Sequence, residues 1–183
     1  MVDEAAKAAG YNVGPVYHGS DSKRAVFDRK FLGRITRGTR SDWGFFFTDN
    51  ESLARKFAEQ ANPDGGVVER VFLRAENPAE IEAGNDGGAT LEQNLNDTLM
   101  DSDYDSARID GLIDFGEQGE TWLVMDSSQI KSADAVTRDD AGRVIPLSER
   151  FNEGNPDIRF RKASDADNLA ETLPMKPSME VTK

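Results

Sequence analysis

The chain contains one imidazole, His18, in the segment Pro15-Val16-Tyr17-His18-Gly19-Ser20, and no cysteine. Thiolate nucleophiles, disulfides and multi-histidine zinc sites are therefore excluded. No Gly-x-Ser-x-Gly elbow supplies a serine for the imidazole to activate. An isolated histidine is ordinarily structural or at the surface. His18 nevertheless follows an apolar Val-Tyr pair at the end of a short strand, and Gly19 beside it permits close backbone approach. Two further groups could do chemistry. Phe45-Phe46-Phe47 is an aromatic run that by default packs a core. Asp114, Glu117 and Glu120 are three carboxylates within seven positions, by default exposed loop charges. The usual nucleotide cradles, GxGxxG after a strand and the Walker loop, are missing. Asp101-x-Asp103-x-Asp105 begins like a calcium loop but fails it, because Ser106 replaces the turn glycine and Leu112 the bidentate glutamate.

The elements that must position these residues follow from periodicity. A frayed or short helical lead-in over 1–12 precedes a strand through His18. Residues 21–43 read as a long, charged, glycine-interrupted connection, with a helical turn possible between Phe27 and Phe31. The aromatic run is short enough for a buried strand, and Thr48-Asp49-Asn50-Glu51 reads as a capping box opening a helix. That helix carries Leu53, Ala54, Phe57 and Ala58 on one stripe and ends at Asn62-Pro63-Asp64-Gly65-Gly66. Val67 to Arg74 reads as a strand, Ala79 to Glu82 as a short one, and Thr90 to about Asp101 as a helix. Gly111 to Phe115 and Thr121 to Met125 are expected to form a hairpin, with Trp122-Leu123-Val124-Met125 central in a sheet. Beyond Ile130 the sequence is polar and turn-rich. Strands interleaved with two clear helices predict an α+β fold. The expected organisation is a lead-in at 1–12, one domain at 13–160, and a polar, disordered tail or linker at 161–183.

Composition narrows the partners. The 183 residues carry a formal charge of −12, which repels phosphate backbones unless basic residues concentrate locally. They do so early, in Lys23, Arg24, Arg29, Lys30, Arg34, Arg37 and Arg40, a cluster that could attract an anionic ligand. Acid dominates later, with six carboxylates against Arg108 between Leu91 and Asp110. No apolar run approaches the ~18 residues of a membrane helix. MVDEAAKAAG lacks the features of a signal peptide, so a cytoplasmic protein is expected.

Together, Tyr-His-Gly-Ser, Gly-Phe-Phe-Phe-Thr-Asp at a helix start, and Trp-Leu-Val-Met-Asp-Ser-Ser-Gln-Ile-Lys-Ser after the acidic hairpin resemble the ADP-ribosyltransferase domains of phage polyvalent proteins, of the histidine–tyrosine–glutamate type. The hairpin segment is also similar to phage anti-CRISPR ADP-ribosyltransferases. The resemblance runs from about Val16 to Phe160, and the stretches Asp139 to Asn152 and Asn155 to Phe160 are typical of such polyvalent proteins.

The resemblance implies a split β-sheet, two small bent sheets with flanking helices, and an NAD⁺ cleft between them. It implies that His18 binds a ribose hydroxyl and Gly19 the nicotinamide carboxamide, with Ser20 adjoining. Phe46, assisted by Phe45 or Phe47, would stack on the nicotinamide. The third catalytic group is Glu117 first, then Glu120 and Asp114. Phenylalanine stands where many relatives have tyrosine, which keeps stacking and loses a hydroxyl. The chemistry suits these types: positive charge develops on the ribose as the nicotinamide leaves, so a carboxylate and hydroxyl-directed hydrogen bonds act selectively in the transition state. Arg29, Lys30, Arg34 or Arg37 would meet the diphosphate. NAD is the substrate, no metal is required, and the acceptor is expected to be a host protein rather than nucleic acid, handled by a monomer. Two rivals are an NAD glycohydrolase toxin and a catalytically inactive module that blocks a host defence complex by binding.

Overall fold

A computed structural model describes residues 1–33, 43–84, 89–100, 103–151 and 155–160. Arg34, Arg37, Arg40, Asp101 and the expected tail at 161–183 lie outside the described residues.

A short helix α1 (Val2–Ala8) opens the chain. It is docked rather than frayed: Ala6 and Tyr11 are buried with Phe72, Ala133 and Phe151. Strand β1 (Val13–Ser20) follows, then a single 3-10 turn at Arg29–Phe31 capped by the side chain of Asp28. The aromatic run forms β2 (Phe45–Thr48), and α2 (Glu51–Ala61) starts directly after it. The helix cap is Asn50, whose side chain accepts the Leu53 N–H at 3.2 Å, while Thr48 Oγ1 accepts the Asn50 N–H. The expected capping box is not formed: Thr48 is still paired in β2, the cap is Asn50 two residues on, and Leu53 at the third helical position has no side-chain acceptor to return the bond. Strands β3 (Val67–Leu73) and β4 (Pro78–Glu82), helix α3 (Ala89–Leu99) and strand β5 (Ser106–Asp110) come next.

Two-residue strands β6 (Ile113–Asp114) and β7 (Glu117–Gln118) make a small separate hairpin. β8 (Thr121–Val124) and β9 (Ile130–Ser132) complete the strands. The expected hairpin between residues 111–115 and 121–125 is therefore corrected. The tight turn joins β6 to β7, and β8 instead lies between β5 and β2, fully buried.

The sheet order is β4-β5-β8-β2-β1-β3-β9. Its continuity is uneven. β1 pairs with β3 over six register positions and β2 with β8 over four, whereas β1 and β2 share the single pair Tyr17↔Thr48. The sheet is in effect two halves, β4-β5-β8-β2 and β1-β3-β9, joined at one point. This is the α+β split-sheet architecture expected above. Alternation along the strands feeds two cores. Val16, Phe45, Phe47, Val71, Trp122 and Ile130 bury one face around Phe27. Ala79, Ile81, Ala107, Ile109 and Leu123 bury the other against Leu91 and Leu95 of α3.

Candidate functional site

A cavity of about 270 Å³ opens where the two halves part, lined by Tyr17, His18 and Gly19 of β1 and by residues 44–48 at β2. Its size lies just below the range typical of small-molecule pockets. The backbone reason for the opening is His18. Its Nδ1 stands 2.8 Å from the carbonyl oxygen of Phe46, across the gap where ladder bonds would otherwise run. A carbonyl only accepts, so Nδ1 carries the proton and Nε2 is left as an acceptor. The ring is enclosed by Phe27 and Phe47, with centroids 5.1 and 5.4 Å away. Burial lowers the imidazole pKa to about 4, and the positive charge of Arg24 adds to this against the opposing bond to Phe46. His18 is neutral at physiological pH. Arg24 Nη1 lies 3.5 Å from Nε2, and Arg24 itself lines the cavity.

Gly19 shows why its type is required. A Cβ there would overlap the Ala54 carbonyl oxygen and sit within 2.7 Å of the Ala58 nitrogen, so α2 can lie against the β1 backbone only when that side chain is absent. That approach brings Leu53, Ala54 and Phe57 of α2 into the cavity wall. Phe46 lines the same cavity and packs toward the α3 core, while Phe45 and Phe47 are embedded in the opposite core around Phe27. Ser20 is fully buried and donates its hydroxyl to the Ser22 carbonyl, and it is not among the lining residues.

The three hairpin carboxylates part company. Asp114 lines the cavity, beside Leu112 and Thr121. The turn explains its placement: Phe115 and Gly116 both have positive φ, 52° and 74°, a type I′ geometry that reverses the chain in two residues. Phe115 tolerates the left-handed conformation with its ring against Phe57, centroids 5.0 Å apart. Glu117, one step beyond the turn, faces the start of α2. It pairs with Lys56 at 2.6 Å and accepts from Asn50 and Ser52, and Lys56 foremost holds its carboxyl below the usual range. Glu120 turns to the β5–β8 surface. Burial alone would raise its carboxyl, but hydrogen bonds from Trp122 Nε1 at 2.6 Å and Arg108 Nε at 2.7 Å hold it low. Neither Glu117 nor Glu120 is among the residues lining the cavity.

Of the basic residues expected near a diphosphate, neither Arg29, which donates to the Met125 carbonyl, nor Lys30 is itself a lining residue, but Lys30 pairs with Asp28, a carboxylate that does line the cavity. Among the described residues Arg24, with its guanidinium against Asp21 at 2.8 Å, is the cation that lines the cavity.

Residues 12–139, more than half of the chain, match the profile of the family described as ADP-ribosyltransferase in polyvalent proteins. The chain belongs to that family. No curated protein and no solved structure matches it. The family match ends at 139, whereas the fold of this ADP-ribosyltransferase-family chain continues. Ile145, Phe151 and Ile158 are buried, and Lys131 donates to the carbonyls of Asn155, Asp157 and Phe160 at 2.7–2.9 Å. That tie clamps the last described segment against residues 25–26, next to Phe27.

Sequence reasoning did not single out most of the residues lining the family member's cavity, among them Arg24, Phe27, Asp28, Phe57 and Thr121. Phe57 sat on the apolar stripe of α2 and read as core. Phe27 carried only a weak helical-spacing signal. Thr121 was hidden inside an apolar strand. Arg24 stood within a basic run from which nothing singled it out.

Proposed function

We propose that this chain cleaves NAD⁺ at the bond between nicotinamide and ribose and transfers ADP-ribose to a protein of a host cell. The observation that carries the reading is the single cavity holding His18, Gly19, Phe46 and Asp114 in a chain of ADP-ribosyltransferase family. The nicotinamide ring would enter between Gly19 and the aromatic wall of Phe46 and Phe57, its carboxamide meeting the Gly19 backbone. The neutral His18 offers Nε2 to a ribose hydroxyl and adds no positive charge where the oxocarbenium develops. Asp114 supplies the negative charge that favours that state, the role for which Glu117 and Glu120 were also candidates. Arg24 meets the diphosphate. As the C–N bond breaks, its electron pair leaves with nicotinamide. The acceptor nucleophile then bonds to the ribose carbon, and its proton passes to Asp114 or to solvent.

The acidic surface, net −12, supports a protein acceptor over nucleic acid. Membership of the polyvalent-protein ADP-ribosyltransferase family supports an origin in phage or mobile elements, with action in the host cytoplasm.

Incubation with labelled NAD⁺ and host lysate tests this reading. It predicts nicotinamide release together with a labelled protein band. Label confined to nucleic acid contradicts the acceptor, and release without any labelled macromolecule makes the chain a glycohydrolase.

A second reading, an inactive binding module, is favoured by the commitment of Glu117 and Glu120 to Lys56 and Arg108. Absence of nicotinamide release from the intact chain would establish it.

A further inference from the structure

A second cavity, of about 380 Å³, shares Arg24 with the first and is walled by residues 23–25, 67–70, 132–138 and 158–159. Nothing in the proposed NAD⁺ chemistry uses it.

Two of its lining groups are sequestered and unsatisfied. Glu69 Oε2 and Thr137 Oγ1 have no hydrogen-bond partner among the described residues, and each residue is only 5% exposed. Buried polar atoms are nearly always paired, so two orphans in one cavity point to an occupant. The arrangement around Glu69 is fixed by register. It lies opposite His18 on the β1–β3 ladder, and its Oε1 takes the Arg24 N–H at 2.9 Å, which leaves Oε2 for the cavity.

Apart from Asp134, the remaining charged wall is cationic. Arg70 donates to the Ala133 carbonyl and Arg138 to the Gly142 carbonyl, and neither meets a carboxylate among the described residues. Arg159, by contrast, is neutralised by Asp140 and Asp157. Lys23 stands 3.8 Å from Asp134. In a chain of net charge −12 this is a local reversal of sign.

These groups disfavour simple occupants. A bare anion can accept from the Thr137 hydroxyl but sets negative charge beside the Glu69 carboxyl, a cation would meet two guanidinium groups, and a neutral polyol would leave those guanidinium groups uncompensated. The ligand must carry hydroxyl donors at one end and negative charge at the other. We propose that this cavity binds a phosphorylated sugar, its hydroxyls paired with Glu69 Oε2 and Thr137 Oγ1 and its phosphate held by Arg70 and Arg138. The free sugar phosphate and the same group within a nucleotide present identical chemistry here. The inference is independent of NAD⁺ cleavage in the first cavity.

Titration of the full chain with ribose 5-phosphate, followed by backbone amide NMR, tests it. Saturable shifts are expected at 67–70 and 134–138, with those at Phe46 and Phe57 unmoved. Arg70→Ala with Arg138→Ala, both at exposed positions, should fold normally and weaken binding about tenfold or more. Thr137→Val should weaken it less, with the shifts confined to the same residues. Titration with ADP-ribose separates the sources: tighter binding at these amides assigns the nucleotide, weaker binding the free sugar phosphate. The proposal is overturned if inorganic phosphate binds as tightly as ribose 5-phosphate, if the shifts fall on Phe46 and Phe57 instead, or if no saturable shift occurs at millimolar ligand.

Discussion

The imidazole of His18 donates through Nδ1 to the carbonyl oxygen of Phe46 at 2.8 Å, spanning the gap where β1 and β2 cease to pair. One bond thereby fixes three things. It satisfies a strand carbonyl that the split would orphan, it sets the imidazole tautomer, and it presents Nε2 as an acceptor on the cavity side. A histidine used only as filler would not need its second nitrogen beside an arginine at a cavity wall.

His18→Ala should therefore abolish a hydrogen bond to the substrate ribose and leave the Phe46 carbonyl unpaired. Loss of a preorganised group of this kind costs roughly 2–4 kcal/mol of barrier, about two to three decades in rate. Steady-state nicotinamide release is the readout, and His18→Asn, which can restore the bond to Phe46 without reaching as far, should recover stability more than rate.

The three carboxylates separate cleanly by substitution. Asp114→Asn should lower nicotinamide release by about a hundredfold. Glu117→Gln, which removes an ion pair with a 36% and 29% exposed partnership, should cost at most ~1 kcal/mol of stability and spare most of the rate. Glu120→Gln should loosen the bridge that Glu120 makes between Arg108 and Trp122 while leaving the cavity intact. A rate collapse in Glu117→Gln with an unaffected Asp114→Asn would reverse the assignment.

Gly19→Ala tests the close approach of α2 to β1. The added methyl meets helix backbone rather than a flexible side chain, so relief requires moving an element. A destabilisation of about 3 kcal/mol is expected, as for overpacked cores, together with loss of nicotinamide-analogue binding. Urea unfolding and ligand titration read the two effects separately.

The pair formed by His18 and Glu69 across the ladder predicts an unusual pH profile. Burial lowers His18 to about 4, so as pH falls from 6.5 to 4 the unfolded chain takes up a proton that the native state refuses, and stability drops. Burial raises Glu69 to about 7 against the opposing contacts with Arg24, so as pH rises from 4.5 to 7 the unfolded chain releases a proton that the native state keeps, and stability again drops. Between pH 4.5 and 6.5 the two slopes oppose each other. Glu69→Gln should therefore uncover a decline of about 1.4 kcal/mol per pH unit on acidification, while His18→Asn should show the opposite trend. Denaturant midpoints measured across this window decide it. Parallel profiles for the two variants would contradict the shifted protonation states.

Much of the scaffold was legible in the sequence. The Val-Tyr-His-Gly-Ser strand, the triple-phenylalanine strand, the stripe of α2, and the leucines of α3 carry local periodicity strong enough to survive tertiary context. β5 was not legible: Ser106–Asp110 lay inside an acid-rich stretch, and its identity as a strand depends on pairing with β4 and β8. The partner of β8 was missed for the same reason, because an apolar run does not say which distant strand it joins. The inward carboxylate could not be read either. A two-residue turn with positive φ at Phe115 decides that Asp114 meets the cavity while Glu117 meets Lys56, and a phenylalanine gives no sequence signal for that conformation. Thr121 and Phe57 were invisible as site residues because a cavity wall and a core share the same composition.

The most direct test is a crystal structure of the chain with a non-cleavable NAD⁺ analogue. The account predicts the pyridinium ring between Gly19 and Phe46, a ribose hydroxyl on His18 Nε2, and Asp114 nearest the anomeric carbon. An analogue bound elsewhere, or a ribose that leaves His18 Nε2 untouched with Asp114 turned away, would contradict it.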